Sequence, residues 1–129
     1  MSRDVIVPDS DRSLYDNFHF APAVRTKSGL VICSGVIGGG ADGTVPEAAK
    51  EEFRNAWRAV EKVLTEAGLG LENVLEYTTF HVGLQAHLAD FMAVRDEFVS
   101  EPWPAWTAIG VTDLAVKGAR CEIRVVAEG

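Results

Sequence analysis

Residues 23–38 read AVRTKSGLVICSGVIG, and the prediction of the fold begins from this stretch. Residues 23–26 and 30–37 are both rich in β-branched side chains, and residues 27–29 (KSG) join them with a length that suits a tight turn. The segment that follows, GGGADGTVP at 38–46, is too rich in glycine to hold regular structure. The stretch therefore predicts a β-hairpin followed by a loop.

Beyond this loop the hydrophobic spacing changes to that of a helix. Pro46 suits a first helical turn, and the glutamates soon after it favour the positive end of the helix dipole. Gly68 and Gly70 then end the pattern. Between them, apolar residues recur at the spacing of three and four that lines one helical face: Phe53, Ala56, Trp57, Val60, Val63, Leu64 and Ala67. These signals predict one long amphipathic helix.

The second half of the chain repeats the strand and helix patterns. Residues 74–82 (VLEYTTFHV) are typical of a strand, and residues 84–99 of a shorter helix that the following prolines terminate. Two more strands are predicted at 106–111 and 120–127, with a polar turn between them. The apolar side of the second helix is predicted to consist of Leu88, Phe91, Met92 and Phe98.

The order of these elements predicts a single α+β domain over residues 1–129, with one mixed sheet and two helices packed on one face. Residues 1–19 are polar and mixed around a short VIV run, which indicates an N-terminal arm or edge strand. The last strand alternates, with Cys121, Ile123 and Val125 on one side and Glu122, Arg124 and Val126 on the other. Such a half-polar face commonly becomes a subunit interface, so we expect a homo-oligomer with its site at the seam.

Composition argues against several classes of protein. The chain has 129 residues, of which 47% are hydrophobic and 24% charged, as in ordinary globular domains. A net charge of −7 without a basic cluster argues against nucleic-acid binding. No apolar run is long enough for a membrane span, and the N-terminus lacks an export signal. We expect a cytoplasmic protein without a membrane partner, in which Cys33 and Cys121 are reduced core thiols.

The common cofactor and catalytic motifs do not match. GGGADG lacks the Gly-Lys-Ser/Thr ending of a phosphate loop. His81 and His87 have no cysteines or carboxylates at ligand spacing, so neither a metal nor another cofactor is predicted. Cys33-Ser34 lacks the GxSxG turn of a serine nucleophile, and Cys33 is better interpreted as a small apolar core residue.

Glu122 allows two interpretations, because it lies between Cys121 and Ile123 in the middle of a strand. If it sits in a polar cleft, burial would raise its pKa and make it a proton donor near neutral pH. Alternatively, it is an exposed glutamate paired with Arg124, two residues further along the same face. The spacing favours neither.

Four stretches together resemble the RidA/YjgF superfamily: APAVRTKSGLVICSGVIG, VLEYTTFHV, PAWTAIGV and GARCEIRVVA. Members carry a Tyr-x-Pro-Ala-Val-Arg opening, an SG strand end, a PAR or PA-x-T turn and a terminal VEI strand. The likeness covers residues 20–127, with the elements in the same order. It implies a chorismate mutase-like fold, a homotrimer with three clefts between subunits, a small-molecule metabolite as ligand and no cofactor.

The resemblance also implies roles for individual residues. In the deaminating members an arginine after Pro-Ala pairs with the carboxylate of a 2-imino or 2-aminoacrylic acid, while the VEI glutamate and a water hydrolyse the imine. Glu122 matches that glutamate, and Ser34 matches a serine that lines the cleft. Trp106 stands in the place of the arginine, Phe20 in that of the opening tyrosine, and Arg95 near a site asparagine.

The absence of an arginine at position 106 changes the expected substrate. An indole with one N–H cannot replace a bidentate guanidinium–carboxylate pair, so tight recognition of a small 2-imino acid should be lost. Trp106 and Phe20, joined by Trp103, would instead form a flat wall for an aromatic or longer apolar substrate. The alternative is that Trp106 only plugs the cleft or packs the trimer seam.

Three functions follow from these observations. The first is a hydrolase acting on an enamine, imine or related reactive metabolite, with Glu122 as general acid and base and with Ser34 and Thr107 positioning water or substrate. The second is 2-aminoacrylate deamination retained through Arg25 or Arg95. The third is a non-catalytic ligand-binding or chaperone-like trimer. A ribonuclease activity has also been attached to the family, but the acidic charge and the lack of a histidine pair argue against it.

Overall fold

The predicted strands lie in one mixed sheet. The computed structural model describes residues 3–40 and 42–129, so Met1 and Ser2 of the predicted arm and Ala41 of the glycine-rich loop lie outside the described residues. The strands within those ranges are β1 (Arg3–Ile6), β2 (Ala23–Thr26), β3 (Leu30–Cys33), β4 (Val36–Ile37), β5 (Val74–His81), β6 (Ala105–Gly110) and β7 (Cys121–Glu128). Their order is β1-β2-β3-β7-β5-β6, and β4 also pairs with β7. Only β5 and β6 are parallel among these pairs.

The described chain contains three α-helices, α1 (Arg12–Phe18), α2 (Ala49–Glu66) and α3 (Leu84–Phe98). Helices α2 and α3 pack together on one face of the sheet, which confirms the predicted α+β arrangement. Helix α2 begins three residues after Pro46 and not at it. None of the helices in residues 3–40 and 42–129 has the length and apolar character needed to cross a bilayer.

The central strand β7 supplies the middle of the core. Cys121, Ile123, Val125 and Ala127 are buried against the helices, and the alternate residues Glu122, Arg124 and Val126 are half-buried on the other side, as predicted. All seven apolar residues predicted for the inner face of α2 are also buried. Burying each large apolar side chain contributes about 1.5–3 kcal/mol, so this face accounts for much of the stability.

The two cysteines are core thiols. Both are buried and free, as expected. Burial raises the pKa of Cys33 to about 11, and it also raises that of Cys121. Neither thiol is therefore ionised near neutral pH, and their structural interpretation is confirmed.

The run predicted as a single strand at 30–37 is divided into β3 and β4 at Ser34 and Gly35. Just after β4, the chain passes very close to helix α2. A Cβ atom on Gly38 would lie 1.8 Å from the backbone oxygen of Glu52, so only glycine fits there. Because of this break, β3 and β4 both pair with β7 while the residues directly after β4 lie against α2.

Two other predictions were incomplete or wrong. The N-terminal region does form an edge strand, since β1 pairs antiparallel with β2, but helix α1 after it was not predicted. This helix has no fully buried residue, so no hydrophobic period marks it. On α3, Met92 is 37% exposed, and Val94 is buried in its place beside Phe91.

An ion pair between the buried Glu52 and the partly exposed Arg120 connects the start of α2 to the residue before β7. Glu52 is completely buried, and its Oε1 accepts a hydrogen bond of 2.7 Å from the Nη1 of Arg120. Its Oε2 accepts backbone N–H bonds from Arg120 at 2.7 Å and Cys121 at 3.3 Å. Arg120 also donates to the carbonyls of Pro46 and Glu47. The carboxylate thus satisfies donors that would otherwise be buried without a partner.

We expect Glu52→Ala to lower the free energy of unfolding by about 3 kcal/mol, because removing one member of a buried pair leaves the other charge uncompensated. Glu61→Ala is the matched control, since Glu61 is exposed in the middle of the same helix and should change stability by less than about 0.5 kcal/mol. Urea denaturation followed by circular dichroism measures both. Equal losses in the two variants would contradict the role given to Glu52.

Candidate functional site

One candidate site is an apolar groove that contains Glu122. The groove has a volume of about 530 Å³ and lies between α1, the exposed edge of α2 and the break between β3 and β4. Ser34, Gly35 and Phe20 line it together with Glu122, and all but the glycine are among the candidate site residues of the sequence. The walls are otherwise mostly apolar, formed by Leu14, Phe18, Pro22, Val36, Ile37, Ala59, Val63, Ala115 and Val116.

The carboxylate of Glu122 lies directly against the backbone of Gly35. A Cβ atom on Gly35 would lie 2.5 Å from Oε2 and 2.6 Å from Cδ of Glu122, so the absence of a side chain makes room for the carboxyl group. Burial raises the pKa of Glu122 above its ordinary value. Because the charged form is disfavoured there, Glu122 can exchange protons closer to neutral pH than an exposed glutamate.

The Ser34 hydroxyl holds the other wall of the groove in place. It donates a hydrogen bond of 2.7 Å to the carbonyl of Ala21, and the Ser34 backbone N–H donates to the carbonyl of Pro22 at 2.9 Å. These bonds attach the segment that carries Phe20, whose ring is 41% exposed. Since its proton is already donated, the Ser34 hydroxyl can offer only acceptor lone pairs to a ligand.

A second pocket contains Trp106 and Arg95. It has a volume of about 440 Å³ and is also lined by Tyr77, Trp103, Pro104 and Asp96, whose carboxylate pairs with Arg95 at 2.8 Å. The Trp106 ring stacks on Tyr77 with centroids 5.7 Å apart, and the guanidinium carbon of Arg95 lies 5.1 Å from the Trp106 ring centroid. Trp103 is 60% exposed. This pocket therefore combines a cation with several aromatic surfaces.

The two sites lie on opposite faces of the sheet within one chain. Directly paired residues of neighbouring strands point to the same side. Trp106 pairs with Tyr77, which is buried under the helices, whereas Glu122 pairs with Phe80 on the other face. A single chain therefore does not bring Trp106 and Glu122 into one cleft.

The remaining predicted site residues lie apart from these two groups. Thr107 pairs with Thr78 and is exposed on the same sheet face as Glu122. Arg25 donates from Nη2 to the carbonyl of Ala67, at the end of α2, and lines a separate depression beside β1. Within the chain, Arg25 therefore stabilises a helix end and faces neither pocket.

A buried polar network that the sequence analysis did not predict holds Trp106 in place. The indole Nε1–H donates to the Thr79 hydroxyl at 2.9 Å, and that hydroxyl lies 2.7 Å from Nε2 of His81. The Thr79 hydroxyl has one proton and two acceptor lone pairs, so it can accept from the indole and still pair with Nε2 of either neutral tautomer of His81. The alternation of Tyr77, Thr79 and His81 along β5 indicates that these three residues share one face of the sheet. It does not show that Trp106 lies against Thr79, because that contact depends on the register between β5 and β6.

Metal binding has no support in the described geometry. Among residues 3–40 and 42–129, no group of three His, Cys, Asp or Glu side chains is close enough together to hold a metal ion. His81 is buried beside Phe91, with ring centroids 4.9 Å apart. The imidazole therefore lies in the core beneath α3.

We expect Thr79→Val to lower the free energy of unfolding by about 1–3 kcal/mol, since both the Trp106 N–H and the His81 ring lose their partner while the side-chain shape is kept. Thr78→Val is the matched control, because Thr78 lies next to it on the opposite face of β5. Urea denaturation compares them. A Thr79→Val protein as stable as its control would show that the network contributes little.

Stability should also decrease as the pH falls below about 6.5, the ordinary pKa of histidine. Burial lowers the pKa of His81 in the folded state, with a smaller effect from His87. The unfolded chain then binds a proton that the folded chain resists, so acid favours unfolding. Glu122, whose pKa is raised, acts in the opposite direction, so wild type must be compared with His81→Gln.

The measurement is the unfolding free energy in urea from about pH 7 to about pH 5. Wild type should lose more stability over this range than His81→Gln, which keeps a polar group near Thr79 but does not titrate. Parallel pH profiles would show that His81 has no part in acid sensitivity.

The protein belongs to the class of small α+β proteins in which helices cover one face of a mixed sheet, and it has a candidate site on each side of that sheet. Comparison with known proteins then gives the family. The family model described as Endoribonuclease L-PSP matches residues 12–129. RutC family protein YjgH of Escherichia coli (strain K12) is 33% identical over 128 residues, which are 98% of this chain and 95% of that protein. The chain therefore belongs to the endoribonuclease L-PSP family, the RidA/YjgF family predicted from its motifs.

Solved structures agree with this assignment. The structure of Protein YJGH has a TM-score of 0.88 and 32% sequence identity, with 99% of this chain and 97% of that chain covered. Rv2704 of Mycobacterium tuberculosis, from the YjgF/YER057c/UK114 family, has a TM-score of 0.83 over 99% and 100% of the two chains; at 23% identity it shows the fold alone. Family members are typically trimers, and they are often deaminases or hydrolases of reactive intermediates.

Proposed function

We propose that this protein is a hydrolase of an enamine, imine or related reactive small metabolite, and that it acts in clefts between the subunits of a homotrimer. The observation that carries the proposal is the Glu122 carboxyl group, which lies against Gly35 in a largely apolar groove and has a raised pKa. A proton-exchanging group in a partly dry cleft is what hydrolysis of a C=N bond requires.

A cleft between two copies explains how the divided site becomes complete. Glu122, Ser34 and Phe20 line the groove on one side of the chain, and Trp106 and Arg95 line the pocket on the other. In a closed ring of identical subunits, one surface of each chain meets a different surface of its neighbour. The groove of one subunit then faces the Trp106 pocket of the next, and a substrate contacts both.

In the proposed reaction, Glu122 moves protons to and from a water molecule. Its carboxylate takes a proton from the water as the water oxygen bonds to the carbon of the protonated imine, and the C=N electron pair moves to nitrogen, which gives a neutral carbinolamine. The protonated Glu122 then gives its proton to the amine nitrogen. The C–N bond breaks, the hydroxyl proton is released, and the products are a carbonyl compound and ammonia.

The lining of the groove favours a larger and less polar substrate than 2-aminoacrylate. Phe20 and its apolar neighbours offer hydrophobic contact, and Ser34 offers an acceptor. In the partner pocket, Trp106 occupies the place where the resemblance expects a carboxylate-binding arginine. We therefore propose an altered substrate range.

We also propose a cytoplasmic location, which is consistent with the two buried, free cysteines. The expected independence from cofactors and from nucleic acid follows from the motifs and the charge of −7.

We expect Glu122→Gln to lower the turnover number by about 100-fold or more, because the amide cannot exchange the proton. The substrates are 2-imino acids generated in the assay by an amino-acid oxidase, from the small one derived from alanine to aromatic ones, with release of the 2-oxo acid as readout. Glu128→Gln, on an exposed residue of the same strand, is the matched control and should retain full activity.

Gly35→Ala tests the position of the carboxyl group without removing it. The added methyl group must displace Glu122, and a misplacement of about 1 Å can lower the rate by about 100-fold. Unchanged activity in Glu122→Gln would exclude Glu122 from the mechanism. No acceleration by wild type of any substrate in the series would favour the non-catalytic trimer, and a monomeric mass in sedimentation equilibrium would contradict the shared cleft.

A further inference from the structure

The Arg95 side chain has the geometry of a held but incompletely satisfied cation. Its guanidinium group lies over the Trp106 ring, and its side chain is only 15% exposed. Nε donates to Asp96 at 2.8 Å and Nη1 donates to the Tyr77 hydroxyl at 3.3 Å. In the part of the chain that the structure describes, Nη2 has no acceptor. Arginine carries five N–H donors, so three of them have no acceptor among the described residues.

Trp106 acts as the surface that orients this cation. A guanidinium group stacked on an indole face loses little further freedom when it binds a planar anion, because its plane is already fixed. The indole is itself held by Tyr77 and by its hydrogen bond to Thr79. The chain thus has a tryptophan at position 106 that supports an arginine contributed by α3.

Trp103 supplies an exposed aromatic surface in the same pocket. Its side chain is 60% exposed beside Pro104, and it lines the cavity of about 440 Å³ together with Arg95 and Trp106. An exposed indole gains free energy when a flat apolar group covers it. The combination of a flat surface and a cation with unused donors defines the chemistry of a ligand.

We infer that this pocket binds a planar aromatic carboxylate, with the carboxylate on the Arg95 guanidinium and the ring stacked on Trp103. The inference rests on the proposed function, because it names the substrate class of the same cleft. Asp96 competes for Arg95, but its side chain is 60% exposed and its attraction is largely screened by water. The less exposed guanidinium therefore dominates the pocket, and the ligand is an anion.

The test measures binding to the wild-type protein with a probe that has no C=N bond and therefore cannot be turned over. The probe is 2-naphthoate, titrated calorimetrically beside its uncharged amide, 2-naphthamide, and the non-planar cyclohexanecarboxylate. We expect the dissociation constant of 2-naphthoate to be lower than that of either comparison compound by about tenfold, the effect of a charge-assisted pair or of lost stacking.

Variants of the pocket should change this affinity in a defined order. Arg95→Gln should weaken 2-naphthoate binding by about tenfold, and Arg95→Lys, which keeps the charge but loses the planar fork, should lie between it and wild type. Asp96→Asn should tighten binding, because it removes the competing anion. Arg58→Gln, on an exposed residue of α2, changes the net charge equally and should leave the affinity unchanged.

Equal affinities for 2-naphthoate and 2-naphthamide would overturn the inference, as would an Arg95→Gln protein that is folded by circular dichroism and binds like wild type. Arg95→Lys provides a second reading if Arg95→Gln does not fold. If binding depends on Arg95 while Glu122→Gln leaves turnover unchanged, the binding site stands and the proposed mechanism fails. If turnover requires Glu122 but binding is indifferent to Arg95, only the inference fails.

Discussion

The arrangement of this protein depends on the rule that a strand residue faces one side of its sheet and its neighbour faces the other. In β7, this alternation buries Cys121 and Ile123 under the helices and turns Glu122 outward. Because β5 pairs with both β7 and β6, the same rule turns Trp106 inward with Tyr77. The two sets of candidate site residues are separated by the thickness of the sheet. This separation is why we propose that the site is completed by a second chain.

Close backbone approach is the second constraint, and glycine provides it at two positions near the break between β3 and β4. Gly35 leaves room for the Glu122 carboxyl group, and Gly38 lets the chain pass against the backbone of α2. Both depend on the missing Cβ and neither requires an unusual backbone angle. The fold and the candidate site are therefore linked in one short segment, where a methyl group would move either a helix or the Glu122 carboxyl group.

We infer that the Trp106 pocket recognises its ligand through a different group from the one that the resemblance expects. The resemblance expects an arginine on the strand at position 106, and in this chain the guanidinium beside that position comes from Arg95 on α3. The Trp106 indole fills this position. Its flat face lies against the Arg95 guanidinium group, and its N–H donates a hydrogen bond to Thr79. We infer that a planar ligand fits this pocket better than a small branched one, because the Arg95 guanidinium group and the Trp103 ring are both flat.

Most of the fold can be predicted from local spacing, because the periods of two and of three to four residues are local and the hydrophobic effect enforces them. The sequence predicts the inner face of α2, the alternation of β7 and the family, and it also identifies Glu122, Ser34 and Phe20, which line one groove. It did not reveal α1, which buries no residue fully, or the exposure of Met92. The three-dimensional structure was needed to show that Trp106 and Glu122 face opposite ways, that Thr79 accepts a hydrogen bond from the indole and that Arg25 bonds to a helix end. Those relations depend on the register between strands distant in sequence, which local spacing does not encode.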